Sequence, residues 1–324
     1  MQFGRFIQVL GVWCVLLCGG AAHAIIASSE FDGSSGWLAV TNPNAPASDF
    51  ILDQQTGQSD SDIVGLGDQA GFYVNYDDAG TSSLADDYMG FRIRLASTSG
   101  KPNEYKGYAF VGIDIGRDGD LDLFVQANTK QIGFYDAGSG TNDSPSSTSI
   151  SQMKDTNRDD PYRFERKASD SDFDAHLSFD PVTAFNDAHF VSDNLDGRSK
   201  GNKDQTDHFL SFQVDMLTLI EAARLASLDD DDQNNTIDVT QHYSYVVLTS
   251  TQDNTFNQDL NGSNGELEDF SQSEGSWADL GGISTGVVLD RGELVLNPEP
   301  SSYPLITGLL ISTFVVCRRR SRAA

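Results

Sequence analysis

Two runs of acidic and amide side chains around a glycine carry the clearest chemistry in this sequence. The first is Asp114-Ile115-Gly116-Arg117-Asp118-Gly119-Asp120-Leu121-Asp122, with carboxylates at Asp114, Asp118, Asp120 and Asp122. The second runs from Asn257 to Glu268 and offers Asn257, Asp259, Asn261 and Glu268, with Gly262 at the bend. Oxygen donors at alternate positions, folded back by a glycine, are what a hard cation such as calcium needs for roughly six to eight ligands. The same composition suits a tight turn, because Asp and Asn side chains bond their own backbone two residues on. Calcium ligation and plain turn chemistry therefore stand side by side at both runs.

Position by position, neither run is a full EF-hand loop. In the first, Gly116 stands at position three and Val125 at position twelve, where a bidentate Glu is expected. It is similar instead to the shorter Asp-x-x-x-Asp-Gly-Asp-x-Asp hairpins of extracellular β proteins. The second keeps oxygen donors at positions one, three, five and twelve, but Asn257 replaces the usual Asp and lowers the ligand charge. The flanks of that run do not read as a helix pair. Any calcium site is expected to be weak and of extracellular type.

Other chemistry is sparse. His176, His189, His208 and His242 are scattered, without the spacing zinc requires. No catalytic signature is singled out, and the chain is read as a non-enzyme. Asp229 to Asp232 repel one another at the end of a predicted helix and read as a solvated loop. Trp37, Trp277, Tyr73, Tyr76 and Tyr135 could stack sugars, or fill a core.

The elements that must position these groups are mostly strands. Phe72–Tyr76, Phe91–Leu95, Tyr108–Asp114, Leu121–Ala127, Gln131–Tyr135, Arg163–Lys167, Phe209–Val214, Tyr243–Thr249 and Glu293–Leu296 are short, β-branched or aromatic, and bounded by turn residues. Phe91-Arg92-Ile93-Arg94-Leu95 alternates, which predicts one buried and one solvated face. One helix is expected over Leu217–Leu228, with Leu217, Ile220, Leu225 and Leu228 inward and Glu221 and Arg224 outward. Asp136–Asp160 and Ser192–Asp207 read as long polar loops, mobile or functional. The fold class is mainly β, an antiparallel β-sandwich with one short helix.

Charge narrows the partners. Residues 25–300 hold 16 basic against 48 acidic residues, net −32. Such a surface repels nucleic acid and anionic lipid. The cysteines fall at 14, 18 and 317, so the region between has none to cross-link and must rest on a core or on metal.

The termini read as export signals. Arg5 precedes an apolar stretch from Phe6 to Leu17, then Ala22-His23-Ala24, the pattern of a secretory signal peptide spanning 1–24. Leu16-Leu17 before Cys18 is not a lipobox. From Asn297 to Ala324 the order is Pro298-Glu299-Pro300, an apolar span over 303–317, then Arg318, Arg319, Arg320 and Arg322. The prolines fix φ and remove donors, so the tripeptide stays extended, and the arginines stay cytoplasmic. Ser301–Cys317 is at the short limit of about 17–25 residues for a membrane span.

This tail resembles the PEP-CTERM sorting signal of Gram-negative bacteria. The resemblance implies processing by a membrane-embedded exosortase, with the membrane engaged through the C-terminal segment beforehand. The resemblance implies a setting of extracellular polysaccharide, and the exported region expected over 25–296 is long enough for one large domain or two fused ones. The function expected is a structural or interaction role at the cell surface or in biofilm matrix. The alternatives are a carbohydrate-binding module with an exposed row of aromatics, or a glycan hydrolase with paired carboxylates.

Overall fold

The computed structural model describes residues 37–40, 59–65, 70–77, 83–98, 104–115, 118–138, 141–155, 162–182, 206–226, 242–260, 275–280, 287–290 and 293–296. The expected signal peptide, the sorting tail with Pro298, Glu299, Pro300, Arg318, Arg319 and Arg320, the run Asp229–Asp232, and Asn261 and Glu268 lie outside them. Among the described residues no helix is long and apolar enough to cross a membrane.

The chain is mainly β, and its described residues form two antiparallel sheets and one short α-helix. The first sheet contains β1 (Leu38–Ala39), β2 (Phe72–Asp77), β3 (Tyr88–Leu95), β9 (Leu177–Pro181) and β10 (His208–Asp215). Their order is β1-β2-β3-β10-β9. The central pair β3 and β10 runs from Tyr88 opposite Asp215 to Leu95 opposite His208.

The second sheet is larger. It contains β4 (Tyr108–Asp114), β5 (Leu123–Asn128), β6 (Gln131–Asp136), β7 (Ser151–Gln152), β8 (Glu165–Lys167), β11 (His242–Ser250), β12 (Asp259–Leu260), β13 (Val287–Asp290) and β14 (Glu293–Leu296). The main path is β14-β13-β11-β4-β5-β6-β7, while β12 pairs β11 and β8 pairs β6. A tight turn joins β5 to β6: Asn128 Oδ1 accepts from the Lys130 and Gln131 amides at 2.8 and 2.9 Å.

Strand alternation decides what is buried. Phe72, Val74, Met89, Phe91, Ile93, Leu210 and Phe212 of the first sheet share one core cluster with Val111, Ile113, Leu123, Val125, Phe134, Tyr245 and Val247 of the second. The Tyr245 ring lies 5.8 Å from Phe72 and 6.2 Å from Phe91, so aromatic edges close the seam.

Helix α1 (Met216–Ala226) follows β10 without a break and packs into the same cluster. Its buried face is Met216, Leu219, Ala222, Ala223 and Ala226, whereas Leu217, Ile220 and Leu225 are only half-buried. The expected leucine stripe is displaced because the small alanines allow the helix backbone to approach the sheet, while the larger side chains cover the flanks.

Both outer faces are covered as well. On the second sheet, Phe110, Phe124, Tyr135, Val246 and Leu248 gather with Phe256, Leu260 and Trp277 into a second cluster. Residues 141–155, expected as part of a mobile or functional loop, help to roof it. Leu121 N and Trp277 Nε1 both donate to the Asn142 carbonyl, at 3.1 and 2.9 Å, and Ile150 is buried. On the first sheet the expected solvated face is not solvated. Arg92 and Arg94 are fully buried.

Candidate functional site

The Asp114–Asp122 run forms the turn between β4 and β5, where it was expected. Asp114 Oδ2 accepts from Gly119 N at 3.1 Å, and Asp122 Oδ2 accepts from Ile115 N at 2.7 Å. Asp118 Oδ1 takes the Asp120 amide at 3.1 Å. Gly119 sits at φ 103°, a conformation that favours glycine. The carboxylates thus brace the hairpin through its own amides. Among the described residues no group of three or more His, Cys, Asp or Glu gathers as a metal would require.

The second run divides between two tasks. Asn257 Oδ1 accepts from Ser250 Oγ at 3.0 Å and from Thr251 N at 3.1 Å, which closes the turn after β11. Asp259 is buried; its Oδ2 accepts from Ile63 N at 2.5 Å and its Oδ1 from Leu260 N at 2.7 Å. Thr249 Oγ1 donates to the Ser61 carbonyl at 2.5 Å beside it. Asp259 therefore pins the distant segment 59–63 against β11 and β12.

That segment carries a buried carboxyl the sequence did not single out. Asp60 is 4% exposed, and its Oδ2 has no hydrogen-bond partner among the described residues. Burial pushes its pKa above the usual value, partly offset by backbone amides of its own turn and of Lys106. Tyr105 is buried nearby, its hydroxyl equally without a partner, and its pKa is pushed well up by burial and then by Asp60 and Asp259.

The outer face of the first sheet is polar and dry. Arg94 pairs with Asp207, and Arg92 Nε donates to Ser211 Oγ at 2.8 Å. The Arg92 guanidinium lies 4.1 Å from the Trp37 ring centre and 5.2 Å from that of Phe209. Guanidinium groups tolerate such stacking because they are planar and weakly hydrated. Gly90 leaves room for Trp37, whose ring a Cβ there would meet at 3.1 Å.

At one end of the fold, residues 168–176 pass from β8 in one sheet to β9 in the other. Arg163 Nη2 bonds Asp170 at 2.7 Å, and Arg166 bonds both Asp172 and, at 3.0 Å, Asp215 of β10. His176 ends this strap, 6% exposed, its ring 5.4 Å from that of Tyr88. Burial pushes the Asp172 carboxyl up, and is outweighed by Arg166, its own turn backbone and Arg163, which hold it below the usual range.

The aromatics weighed as a sugar platform are largely interior. Trp277, Tyr73 and Tyr135 are buried, and Trp37 and Tyr76 are half-buried. Burial of the first three removes the stacking face they would offer. No protein-family model, curated protein or solved structure matches this chain.

Proposed function

We propose that the chain is an exported cell-surface or extracellular-matrix protein: an acidic, sandwich-like β domain delivered between a signal peptide and an exosortase-processed tail. One observation carries this reading. Pro298-Glu299-Pro300, the apolar span and the arginine cluster occur in that order, opposite an n-region, h-region and Ala-His-Ala at the other end. Its partners are an exosortase-type membrane protease and an extracellular polysaccharide. The role is structural or interactive rather than catalytic.

The character of the folded part supports the reading. The sheets bury a shared aromatic core, and their outer faces are covered, so the cysteine-free region has a hydrophobic source of stability. Calcium belongs to the proposal as a weak ligand of the β4–β5 turn. A carboxylate that accepts one amide retains lone pairs, so turn bracing and ion binding are compatible.

The test is intact-mass analysis of the exported protein from hosts with and without an exosortase. The processed form is expected to begin near Ile25 and to end near Pro298–Pro300, and only in the competent host. Exported protein that keeps Arg318–Arg320 in both hosts overturns the sorting assignment.

A further inference from the structure

We infer that residues 168–176 form an acid-released strap: protonation of His176 unseats it from Tyr88 and opens the join between the two sheets. This goes beyond delivery and surface role, and rests on the geometry around one imidazole.

The strap is held at its middle by Phe173, buried in the shared core, at its start by the Ala168 amide on the Lys130 carbonyl at 2.8 Å, and otherwise by polar contacts. Arg163 and Arg166, before and within β8, grip Asp170 and Asp172, and Arg166 also reaches Asp215 at the end of β10. Gln213 of β10 donates its amide to the His176 carbonyl at 3.0 Å and its side chain to the Ala175 carbonyl at 2.9 Å. His176 is the buried plug between them. Its ring lies on Tyr88 of β3, and its Nδ1 has no hydrogen-bond partner among the described residues.

A neutral imidazole needs one acceptor, whereas an imidazolium has two N–H donors and a charge to satisfy. The groups facing His176 are Tyr88 from β3, Asp215 from β10, Arg163 and Arg166 from the β8 side, and Asp172 from the strap. Asp77 of β2 faces Tyr88 in turn. Asp172 lies 4.0 Å from Nε2 and is already engaged by Arg166 and Arg163. The imidazolium carries N–H at both ring nitrogens, and the one at Nδ1 has no acceptor among the described residues. A buried, unmatched cation is relieved most directly by moving the ring into water, and the strap moves with it.

The electrostatics agree in direction. Burial, then Arg166, lowers the His176 pKa below the ordinary 6.5, although Asp215 and Asp172 pull the other way. For a histidine lowered on folding, the stabilising contribution is full above the unfolded value of 6.5. It is lost as pH falls toward the folded value and is constant below it.

The experiment is hydrogen–deuterium exchange of the purified full chain between about pH 7.5 and pH 5, the window of histidine titration. Rates are corrected for intrinsic exchange, and the His176 ring is titrated by NMR. The amides of Phe173, Ala175, His176 and Gln213 are expected to exchange several-fold faster on acidification. Those of β4 and β5 are expected to stay protected. His176→Phe keeps the ring on Tyr88 and cannot titrate, so it should flatten the profile. His176→Gln should do the same if the Phe variant does not fold. Flat wild-type exchange, a His176 ring titrating above 6.5, or an acid response surviving in a folded variant overturns the strap.

Discussion

The Arg94 guanidinium meets one oxygen of Asp207 through Nε at 2.8 Å and through Nη2 at 2.7 Å, with both side chains wholly withdrawn from water. Two charges on the outer face of a sheet are thus interior groups. Phe209 lies 5.8 Å from the same guanidinium, which further dries the pair.

This relationship gives a prediction with a sign. Removing one partner strands the other charge in a dry site, which costs about 3–5 kcal/mol. Arg94→Ala and Asp207→Ala are each expected to lose that much in urea unfolding. Arg94→Leu combined with Asp207→Leu is expected to recover most of it, because an apolar pair needs no matching charge. Additive losses in the double variant would show that the pair is not a coupled unit.

Arg92 and Arg94 also show where the sequence was legible and where it was not. The alternation of Phe91, Ile93 and Leu95 placed the core face correctly, since period two is a local property of the strand. The burial of the other face depends on Trp37, Phe209 and Asp207, which are remote in sequence. Tyr108–Asp114 and Glu293–Leu296 were read with their observed ends, as runs bounded by clear turn residues. Leu38–Ala39, Ser151–Gln152 and Asp259–Leu260 were not read as strands. Two residues carry no period, and such strands exist only because a longer neighbour offers them an edge. Asp259 was read as either an ion ligand or part of a polar loop; its contact with Ile63, which spans 196 residues, left no local trace. The turn role of Asp114–Asp122 was visible because the carboxylate bonds to Gly119, Ile115 and Asp120 that brace it are local.

Asp60 provides a second prediction, on pH. Its pKa is raised on folding, chiefly by burial, from an ordinary 3.8. An acid shifted upward contributes stability below the unfolded value and loses it as pH rises through the folded value. At neutral pH the ionised, half-orphaned carboxylate therefore opposes folding. Asp60→Asn keeps one acceptor oxygen and removes the buried charge. It is expected to stabilise the protein by about 0.5–2 kcal/mol near pH 7, with the gain shrinking near pH 4. Urea melts at the two pH values check this. A clear loss at neutral pH would mean that the ionised form is needed.

Calcium is the prediction that separates turn from site. The carboxylates of Asp114 and Asp122 already brace the β4–β5 hairpin, so an ion would bind to a loop that is folded without it. Pre-formed turns with few convergent ligands bind weakly, and a Kd on the order of 10⁻⁴–10⁻³ M is expected, as in extracellular modules. At a calcium concentration about ten times Kd, the stabilisation is roughly 1.4 kcal/mol. That is about 2–4 °C in Tm for a domain of this size. Magnesium should do less, because it dehydrates reluctantly and demands octahedral geometry. Asp118→Ala with Asp120→Ala should abolish the calcium shift at the cost of a small drop in calcium-free Tm, since Asp118 also accepts the Asp120 amide. Asp259→Ala should behave in the opposite way. Its carboxylate holds Ile63 and Leu260 amides in a buried site, so the variant should lose about 1–3 kcal/mol equally with calcium and with chelator. A wild type that melts identically in calcium, magnesium and chelator would leave the Asp114–Asp122 run a turn and nothing more.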